Sequence, residues 1–578
     1  MILIVGLLVL GVSLAVLTWH GRGRDNRDGD GDGDGDGDQR SLRRLLQYLF
    51  LLVALFSAAS GVTGLVTAAL PVDGRFVGPA PAETALGLSL TIVAVPLWLV
   101  LWRAVRRRLA RDVDERSSTA WAVYVTIAAT VTLVVALVNV IRVGTGLVTT
   151  DAVVPQAVGA AVVWGPVWGL HAWFLERSPL APAGPRRHLV ALVGSAVGLV
   201  TLAAGAVGVL SFGTGQAYRA IAGAALIEGW STEALRRSLV SATLGALVWW
   251  FHWLHHAISA RRDTLWHLYV LVVGVLGGLL TTTVSAGVTL YALLAWAIGS
   301  PGTGAAVHFA ATPRAVAVTA VGLWVWRYHA AVLRIAGRER SEPDRAYEHL
   351  VAAVGLVAAT CGLTMALAAL IEAVAPVPLA GSGVRGGDTV ALALTLLIVG
   401  TPLWALFWRR LQGRVRTGPP VERRSPSRRT YVLVIFGVSG LTAAISAVAT
   451  LFVVFRDLLE GRLAATVLYD MRVAIALVVA AGAVSAYHWA VLQEDRAAAP
   501  SQPPRRHVLL VSADGEEMAA ALARRTGASV RRLHRLDVDA ADVDTDAVAA
   551  AIMASPHTRL LVTIDADGTI HAIPYDRT

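Results

Sequence analysis

The sequence contains no lysine and only one cysteine, Cys361. A single cysteine cannot form a disulfide within the chain, and it cannot provide a metal site made of several thiolates. All 50 basic residues are therefore Arg. Together with the abundance of Ala, Val and Gly, the absence of Lys indicates the codon bias of a GC-rich bacterial genome. It carries no information about mechanism.

Charged residues are also scarce. They make up 16% of the 578 residues, whereas 55% are hydrophobic and the mean hydropathy is +0.60. A soluble chain is rarely so apolar. The net charge of +10 comes from Arg residues at the ends of apolar runs, which is the positive-inside pattern and not a nucleic-acid-binding patch. The composition predicts an integral membrane protein, with the lipid bilayer as a partner and no nucleic acid.

Long apolar runs follow one another along the chain. The first covers residues 2–18, and Arg follows it rather than preceding it, which favours an uncleaved transmembrane anchor over a signal peptide. Most later runs are close to the ~20 residues that cross a bilayer. They lie at about 45–70, 85–105, 119–142, 156–175, 188–211, 238–257, 267–298, 314–335, 349–375, 388–408, 430–455 and 471–492. The sequence predicts an all-α polytopic membrane protein with about thirteen transmembrane helices.

Arg-rich loops alternate with loops that contain few Arg. Residues 103–116 and 409–429 are examples of the first kind, and residues 300–312 are an example of the second. By the positive-inside rule, the Arg-rich loops lie in the cytosol. This predicts a multi-pass protein of the bacterial inner membrane, with its N-terminus outside and its C-terminal domain in the cytosol.

Aromatic residues recur near the end of every second apolar run. Six cassettes of Trp or His, each followed by Arg, stand roughly 70 to 80 residues apart, and such a period is typical of stacked structural units. Their indole rings are interpreted as an interface or packing signature, because Trp prefers the membrane interface. The signature residues are Trp98, Trp102, Trp168, Trp249, Trp253, Trp326, Trp404, Trp408 and Trp489.

This period divides the chain into six tandem two-helix hairpins. The first helix of each opens with Tyr or His before an aliphatic residue, at Tyr48, Tyr124, His188, His267, His349 and Tyr431. An anchor at residues 1–20 and an Asp/Gly-rich linker at 21–40 precede them. The predicted hairpins cover residues 41–116, 117–183, 184–262, 263–341, 342–422 and 423–493.

The dipeptide Tyr48-Leu49 and the run Trp249-Trp250-Phe251-His252-Trp253 are two of the recurrent signatures. Paired in this way, they resemble a bacterial membrane domain known as domain of unknown function 5671. The resemblance covers residues 41–492. It implies two-helix units in tandem arrays within a membrane, and it implies no activity.

Some cassettes place an imidazole on the same helical face as a Trp. At one depth in the membrane, such imidazoles could bind haem or a transition metal, or relay protons. The alternative is an aromatic belt or packing between hairpins, and this is preferred; no metal and no cofactor is predicted. The candidates are His171, His252, His329 and His488, with His188, His267 and His349 at about the same level, while Leu101 and Phe407 replace His in two units.

Polar residues within the apolar runs are few. Asn139 and Glu372 are the clearest candidates for a pathway, because polar groups inside a membrane usually mark one. Glu372 lies near the outer end of its run, where it could simply reach water. The scarcity of such residues argues against ion-coupled transport.

The composition changes after the last apolar run. Residues 494–505 are a linker rich in Ala and Pro, and residues 506–578 are predicted to form a small soluble α/β domain. Asp514 is interpreted as a helix cap, since the turn around it lacks the glycines and Lys of nucleotide-binding loops. Strands are predicted at 507–512, 529–536, 559–564 and 569–573, and helices at 514–525 and 546–554.

Three functions remain open on the sequence. The favoured one is a non-enzymatic membrane scaffold or sensor that binds a cytosolic protein through residues 506–578. The second is a transporter or channel for a small or apolar substrate. The third is a haem- or metal-binding redox protein that uses the recurrent His residues. No catalytic arrangement of nucleophile and base is evident.

Overall fold

A computed structural model gives the architecture of the chain. It describes residues 34–70, 81–149, 151–182, 188–223, 230–260, 262–299, 301–334, 341–375, 386–461, 467–498, 506–512, 516–535, 543–565 and 567–576. The predicted N-terminal anchor at residues 2–18 and the cap Asp514 lie outside these residues. The chain divides into two compact units, Met1–Trp489 and Ala490–Thr578.

The first unit is built from long helices. They are α1 (Asp34–Ala69), α2 (Pro81–Arg111), α3 (Thr119–Val148), α4 (Pro155–Arg177), α5 (Leu189–Ala222), α6 (Thr232–Trp249), α7 (Thr264–Ile298), α8 (Thr312–Leu333), α9 (Glu342–Val374), α10 (Gly386–Thr417), α11 (Pro426–Leu459) and α12 (Val467–Ala497). Within the described residues, eleven helices are long and apolar enough to cross a membrane. The chain is therefore a multi-pass helical protein suited to a bilayer.

The sixth helix, α6, is not one of these eleven. Its first two turns contain Glu233, Arg236 and Arg237, which lower its mean hydropathy. It nevertheless continues without a break through Trp250–Ala257, so a helix does cover the sixth apolar run. The predicted count of about thirteen transmembrane helices stays a prediction. The first helix starts at Asp34, inside the stretch predicted as a linker, and acidic residues are favourable at a helix N-terminus.

Two segments adopt the wide π-helical turn, in which a backbone N–H bonds five residues back. They are Trp250–Ala257, which extends α6, and Tyr269–Leu276 within α7. The first closes with the Ile258 N–H donating to the Trp253 carbonyl at 2.8 Å. π-helical turns are rare and occur often at functional sites. The helical periodicity of the sequence gave no sign of either segment.

The long helices pack in a regular order. In each of the first five predicted hairpins the two helices contact one another, from α1 with α2 to α9 with α10. In the sixth, the Ser485 hydroxyl of α12 donates to the Phe436 carbonyl of α11 at 3.2 Å. The second helix of a hairpin also packs on the first helix of the preceding hairpin, as α8 does on α5 and α10 does on α7.

Glycine allows the closest of these approaches. A Cβ atom at Gly198 of α5 would collide with the backbone of Trp249 on α6, and one at Gly355 of α9 would collide with the backbone of Trp404 on α10. Inside a bilayer the hydrophobic effect does not drive helices together, so their association depends on such close van der Waals contact. The backbones that carry the Trp cassettes are therefore held directly against their partner helices.

The second unit contains a four-stranded sheet and two helices. The strands are β1 (His507–Ser512), β2 (Ser529–His534), β3 (Arg559–Ile564) and β4 (Ile570–Pro574), and the helices are α13 (Glu516–Thr526) and α14 (Thr545–Ala554). The strand order is β2-β1-β3-β4, with β1 parallel to β2 and β3, and β4 antiparallel to β3. The helices bury one face of the sheet, where Leu522 and Ile552 meet Leu510 and Val562.

Candidate functional site

The Trp cassette of α6 is part of an aromatic cluster between the third and fourth predicted hairpins. Trp253 is fully buried, and its indole Nε1–H donates to the Tyr328 hydroxyl of α8 at 2.9 Å. Its ring stacks on Trp266 with centroids 6.0 Å apart and lies 4.9 Å from the ring of Tyr269. We call this group, together with Trp249 and His329, cluster B. Its members come from both π-helical segments, with Trp253 in the first and Tyr269 in the second.

His329 lies at the centre of cluster B with none of its surface exposed. Its Nδ1 is 2.8 Å from the Val325 carbonyl, and since a carbonyl can only accept, Nδ1 carries the hydrogen. Nε2 therefore presents a lone pair, and this buried atom has no hydrogen-bond partner among the described residues. The ring is 5.8 Å from Trp253 and 5.9 Å from Tyr269. It is an imidazole enclosed by aromatic rings.

The same arrangement recurs between the fifth and sixth hairpins, as cluster C. Trp408 of α10 donates its indole N–H to the Tyr487 hydroxyl at 2.7 Å. Its ring lies 5.2 Å from Tyr431 and 5.6 Å from His488, which is fully buried. His488 Nδ1 donates to the carbonyl four residues back at 2.8 Å, and within the described part of the chain its buried Nε2 has no hydrogen-bond partner. Arg428 lies over the Trp408 ring at 5.8 Å.

A third group, cluster A, joins the first and second hairpins. Trp121 stacks on Tyr124 at 5.5 Å and lies 6.4 Å from Trp102. His171 has the same bond to the carbonyl four residues back, at 2.8 Å, but its ring is only half-buried. Leu170 stands where clusters B and C have Tyr328 and Tyr487. Cluster A therefore lacks the tyrosine hydroxyl that, in clusters B and C, accepts from the indole N–H of Trp253 and Trp408.

The predicted imidazoles do not share one site. His252 contacts Trp168, with ring centroids 6.0 Å apart, and His349 contacts Tyr431 at 5.3 Å. His329 and His488 belong to clusters B and C. Within the part of the chain that the structure describes, no three His, Cys, Asp or Glu side chains are grouped so as to hold a metal ion. His349 and His488 both contact the Tyr431 ring of cluster C, at 5.3 and 5.8 Å, whereas His252 and His329 lie against other rings.

The remaining signature Trp residues differ in burial. Trp98 stacks on Trp102 at 6.2 Å, and Trp404 lies 6.4 Å from Tyr487, so both flank a cluster. Trp326 is half-buried beside the cluster of Val351 and Leu279. Trp489 is exposed and contacts Phe436 at 5.2 Å. The cassette is therefore chiefly a packing element.

The sequence pattern identified Tyr124 and Tyr431 but not Tyr269, Tyr328 and Tyr487, which complete clusters B and C. It aligned His267 with Tyr124 and Tyr431, whereas the structure places Tyr269 in that position. A three-residue spacing was the available signal: Trp121 precedes Tyr124, Trp266 precedes Tyr269, and Arg428 precedes Tyr431. These pairs bring an aromatic ring or a guanidinium and a phenol to one helical face.

Neither candidate pathway residue belongs to a polar chain across the membrane unit. Asn139 donates its side-chain N–H to the Val135 carbonyl on its own helix at 2.8 Å. Glu372 of α9 pairs with Arg472 of α12, with 3.4 Å between Oε2 and Nε. The first contact is local and the second joins two helices near their ends. A role of either residue in transport stays a prediction.

Two buried carboxylates form ion pairs where one hairpin is connected to the next. Glu115 accepts from Arg44 and from the Tyr48 hydroxyl, each at 2.8 Å, and it is almost fully buried. Glu422 accepts two bonds from Arg345, each at 3.1 Å. Both lie in short helices, Val113–Ser117 and Pro420–Arg424, that connect two hairpins. The two pairs tie these connections to α1 and α9.

Among the described residues of the C-terminal domain, the helices cover one face of the sheet and leave the other face without a helix. Leu509 and Leu561 are half-buried on this face, and beside them Leu533 and Ile573 are 46% and 48% exposed. The ionisable strand residues on the face are all basic: His507, Arg531, Arg559 and His571. Parallel strands are usually covered on both faces, so this surface is unusual. We call it the open face.

Comparison with known proteins identifies the membrane unit. The sequence profile of the family described as Domain of unknown function (DUF5671) matches the chain three times, at residues 44–165, 187–319 and 345–483. The chain belongs to this family. The resemblance seen in the sequence is confirmed. No curated protein and no solved structure matches the chain.

Each DUF5671 match contains all or part of four long helices, so one copy corresponds to two of the predicted hairpins. Clusters A, B and C therefore each lie between the two hairpins of one such pair. His recurs in the second hairpin of each pair, at His171, His329 and His488, each within ten residues after the end of a match. In the first hairpins the equivalent positions vary and hold Leu101, His252 and Phe407.

Proposed function

We propose that this DUF5671 protein is a non-enzymatic membrane scaffold or sensor whose C-terminal domain binds a cytosolic protein through the open face. The observation that carries the proposal is the apolar, uncovered side of a mostly parallel sheet. Exposed apolar patches of this kind mark sites of protein interaction. The domain has its own core, so it can present this surface independently of the membrane unit.

The charges on the open face define the chemistry of the partner. Its ionisable strand residues are basic, and none of the strand residues there is Asp or Glu. Two of them already have a carboxylate beside them, since Arg559 is 3.1 Å from Asp576 and His571 is 3.3 Å from Asp565, so Arg531 defines the basic side of the face. The complementary partner is an amphipathic segment with apolar side chains between acidic ones. A second copy of the same face would place Arg531 and Arg559 against their own counterparts, and like charges oppose that arrangement.

The membrane unit supports an anchoring role rather than chemistry. Its aromatic clusters are closed by packing, and Asn139 and Glu372 are satisfied by close partners. We place the protein in a bacterial inner membrane with six tandem hairpins, an outer N-terminus and a cytosolic C-terminal domain, because Arg-rich loops favour the cytosolic side. In this orientation the open face meets cytosolic proteins.

The test uses the full-length protein in its native membrane. A photo-crosslinking residue replaces Leu561 on the open face, and a matched one replaces Arg524, which is exposed on α13. We expect a discrete heterologous protein adduct at position 561 and none at position 524. Adducts of dimer size, lipid adducts alone, or equal adducts at both positions would overturn the proposal.

Two other functions each rest on one observation. An apolar groove between α5, α6 and α8 favours a transporter or channel for a small or apolar substrate. Flux in proteoliposomes that is lost on changing Glu372 or Asn139 would support it. The buried lone pairs of His329 and His488 favour a haem- or metal-binding redox protein. Purified protein without bound metal and without visible absorbance would contradict that function.

A further inference from the structure

An apolar groove of about 530 Å³ runs between α5, α6 and α8. Every residue that lines it is apolar. Its floor contains Ala206 of α5 and Ala320 of α8, whose small side chains leave the space open. Its walls include the indoles of Trp250 and Trp324, which are 54% and 45% exposed. The groove is therefore a furrow on the outer surface of the helices.

Cluster B packs behind the walls of the groove and holds them in place. Trp249 lines the groove, and its ring meets Trp324 edge-on at 6.1 Å and Tyr328 at 5.4 Å. Trp250 and Leu254, on the groove side, belong to the π-helical segment that also carries the buried Trp253. The wide turn thus supplies the Trp250 indole to the groove and the Trp253 indole to the cluster, from positions three residues apart. The groove is preformed rather than a gap between mobile side chains.

The dimensions of the groove suit one hydrocarbon chain. Gly245 of α6 packs against Leu202 of α5, and the groove extends from there to Leu254 in one direction and to Leu210 in the other. At ~1.5 Å per residue this is about 25 Å along the helices, most of the ~30 Å hydrocarbon core of a bilayer. The groove is therefore long enough for one acyl chain to lie along the helices.

The residues and the medium around the groove indicate which kind of molecule binds in it. Helices α5 and α8 are long and apolar enough to span a membrane, so the medium against the groove is lipid. Near its Leu254 end, Arg327 follows Trp324 by one turn on α8 and is exposed, and Arg262 lies over the Trp266 ring at 4.8 Å. Neither α5 nor α8 contains Asp or Glu. A cationic end on an apolar groove fits a lipid with an anionic headgroup.

We propose that this groove is a binding site for one anionic phospholipid, with an acyl chain along Ala206 and Ala320 and the headgroup phosphate at Arg327. The protein then holds a specific lipid between its third and fourth predicted hairpins, in contact with cluster B. The site lies in the membrane unit and does not depend on the open face of the C-terminal domain.

The test is lipid retention by the full-length protein in detergent, followed by native mass spectrometry. Dioleoylphosphatidylglycerol, dioleoylphosphatidylcholine and oleate are titrated separately. We expect one phosphatidylglycerol to be retained about tenfold more tightly than phosphatidylcholine, a difference of ~1.4 kcal/mol. Arg327→Gln is expected to remove that preference and leave phosphatidylcholine retention unchanged.

Filling the groove gives the second arm. Ala320→Phe and, on another helix, Ala206→Phe are expected to lower retention of both lipids about tenfold or more. Val284→Phe, at an exposed position of α7 outside the groove, is the matched control and is expected to behave as wild type. Thermal unfolding identifies a variant that does not fold, and Ala320→Val then replaces it. Retention by both filled variants equal to that of Val284→Phe would overturn the site, and equal retention of oleate and phosphatidylglycerol would overturn the headgroup assignment.

Discussion

Clusters B and C share a frame but differ at one position. In cluster B, Trp266 stacks on Trp253, and its indole N–H donates to the Ala257 carbonyl at 3.1 Å. In cluster C, the corresponding residue is Arg428, whose guanidinium lies over Trp408 and is almost fully buried. A neutral indole in cluster B and a cationic guanidinium in cluster C therefore occupy equivalent positions against equivalent Trp rings.

The difference shows what the repeat preserves. The central Trp, the phenol that accepts from it and the enclosed imidazole are present in both clusters. The variable position requires a flat group that can lie against an indole face, and both Trp and Arg meet that requirement. A buried charge needs a compensating partner, and Arg428 has the Gln412 side-chain oxygen at 3.3 Å.

The largest expected effect comes from removing the central ring. Trp253→Ala and Trp408→Ala are each expected to lower the free energy of unfolding by about 3–5 kcal/mol, because each leaves a large cavity and an unpaired tyrosine. Trp250→Ala, on the exposed side of the same helix, is the control and should change it by less than about 1 kcal/mol. Denaturation in detergent measures all three. Equal losses at positions 250 and 253 would contradict the assignment of the cluster as a packing centre.

A second prediction concerns the ion pair that accompanies cluster C. Glu422→Ala is expected to cost about 3 kcal/mol, because it leaves the Arg345 guanidinium buried without its main partner. Glu348→Ala removes a more exposed pair with Arg414 and should cost less than about 1 kcal/mol. The comparison is made by chemical unfolding at low and high salt. If the two losses agree, the buried pair does not fasten α9 to the connection between hairpins.

Exchanging the variable residue tests whether the two clusters are interchangeable. Arg428→Ala is expected to destabilise the protein by about 2 kcal/mol through the lost guanidinium–indole contact. Arg428→Trp, which reproduces cluster B in cluster C, should recover at least half of that loss. The readout is the unfolding temperature of the three proteins in one detergent. A Trp variant less stable than the Ala variant would show that the two frames differ in shape.

The smallest effect is expected from the hydroxyls. Tyr328→Phe and Tyr487→Phe should each cost about 1 kcal/mol, and by equal amounts, since each removes the acceptor of one indole N–H. A double-mutant cycle with Trp253→Phe isolates the bond in cluster B. A coupling energy near zero there would mean that Tyr328 contributes only its ring.

The long helices and the strands of the C-terminal domain could be predicted because their causes are local. A bilayer requires about 20 apolar residues from each helix, and an α/β domain shows alternating or continuous apolar runs. The strand Arg559–Ile564 agrees with its prediction, and His507–Ser512 does as well. Gly527 lies at the end of α13 in the left-handed conformation, as a helix-ending glycine should.

The sequence also showed the recurrence of Trp and His, which reflects three DUF5671 copies. What it could not show was which of these side chains meet. Tyr269, rather than His267, joins cluster B because contacts between helices depend on their rotation, and a π-helical turn begins at Tyr269 itself. Buried Glu115 and Arg428 were indistinguishable from loop charges, because burial is decided by neighbours some 70 residues away or on another helix.

The sequence by itself therefore determined an apolar, repetitive membrane chain with a small appended domain. Hydrophobic length and periodicity are properties of a single segment, and they survive without knowledge of the partners. Only the tertiary structure decided that the imidazoles are separated into aromatic clusters, that an apolar groove follows α6, and that one face of the sheet is left open. Each of these depends on side chains from different helices or strands meeting in space.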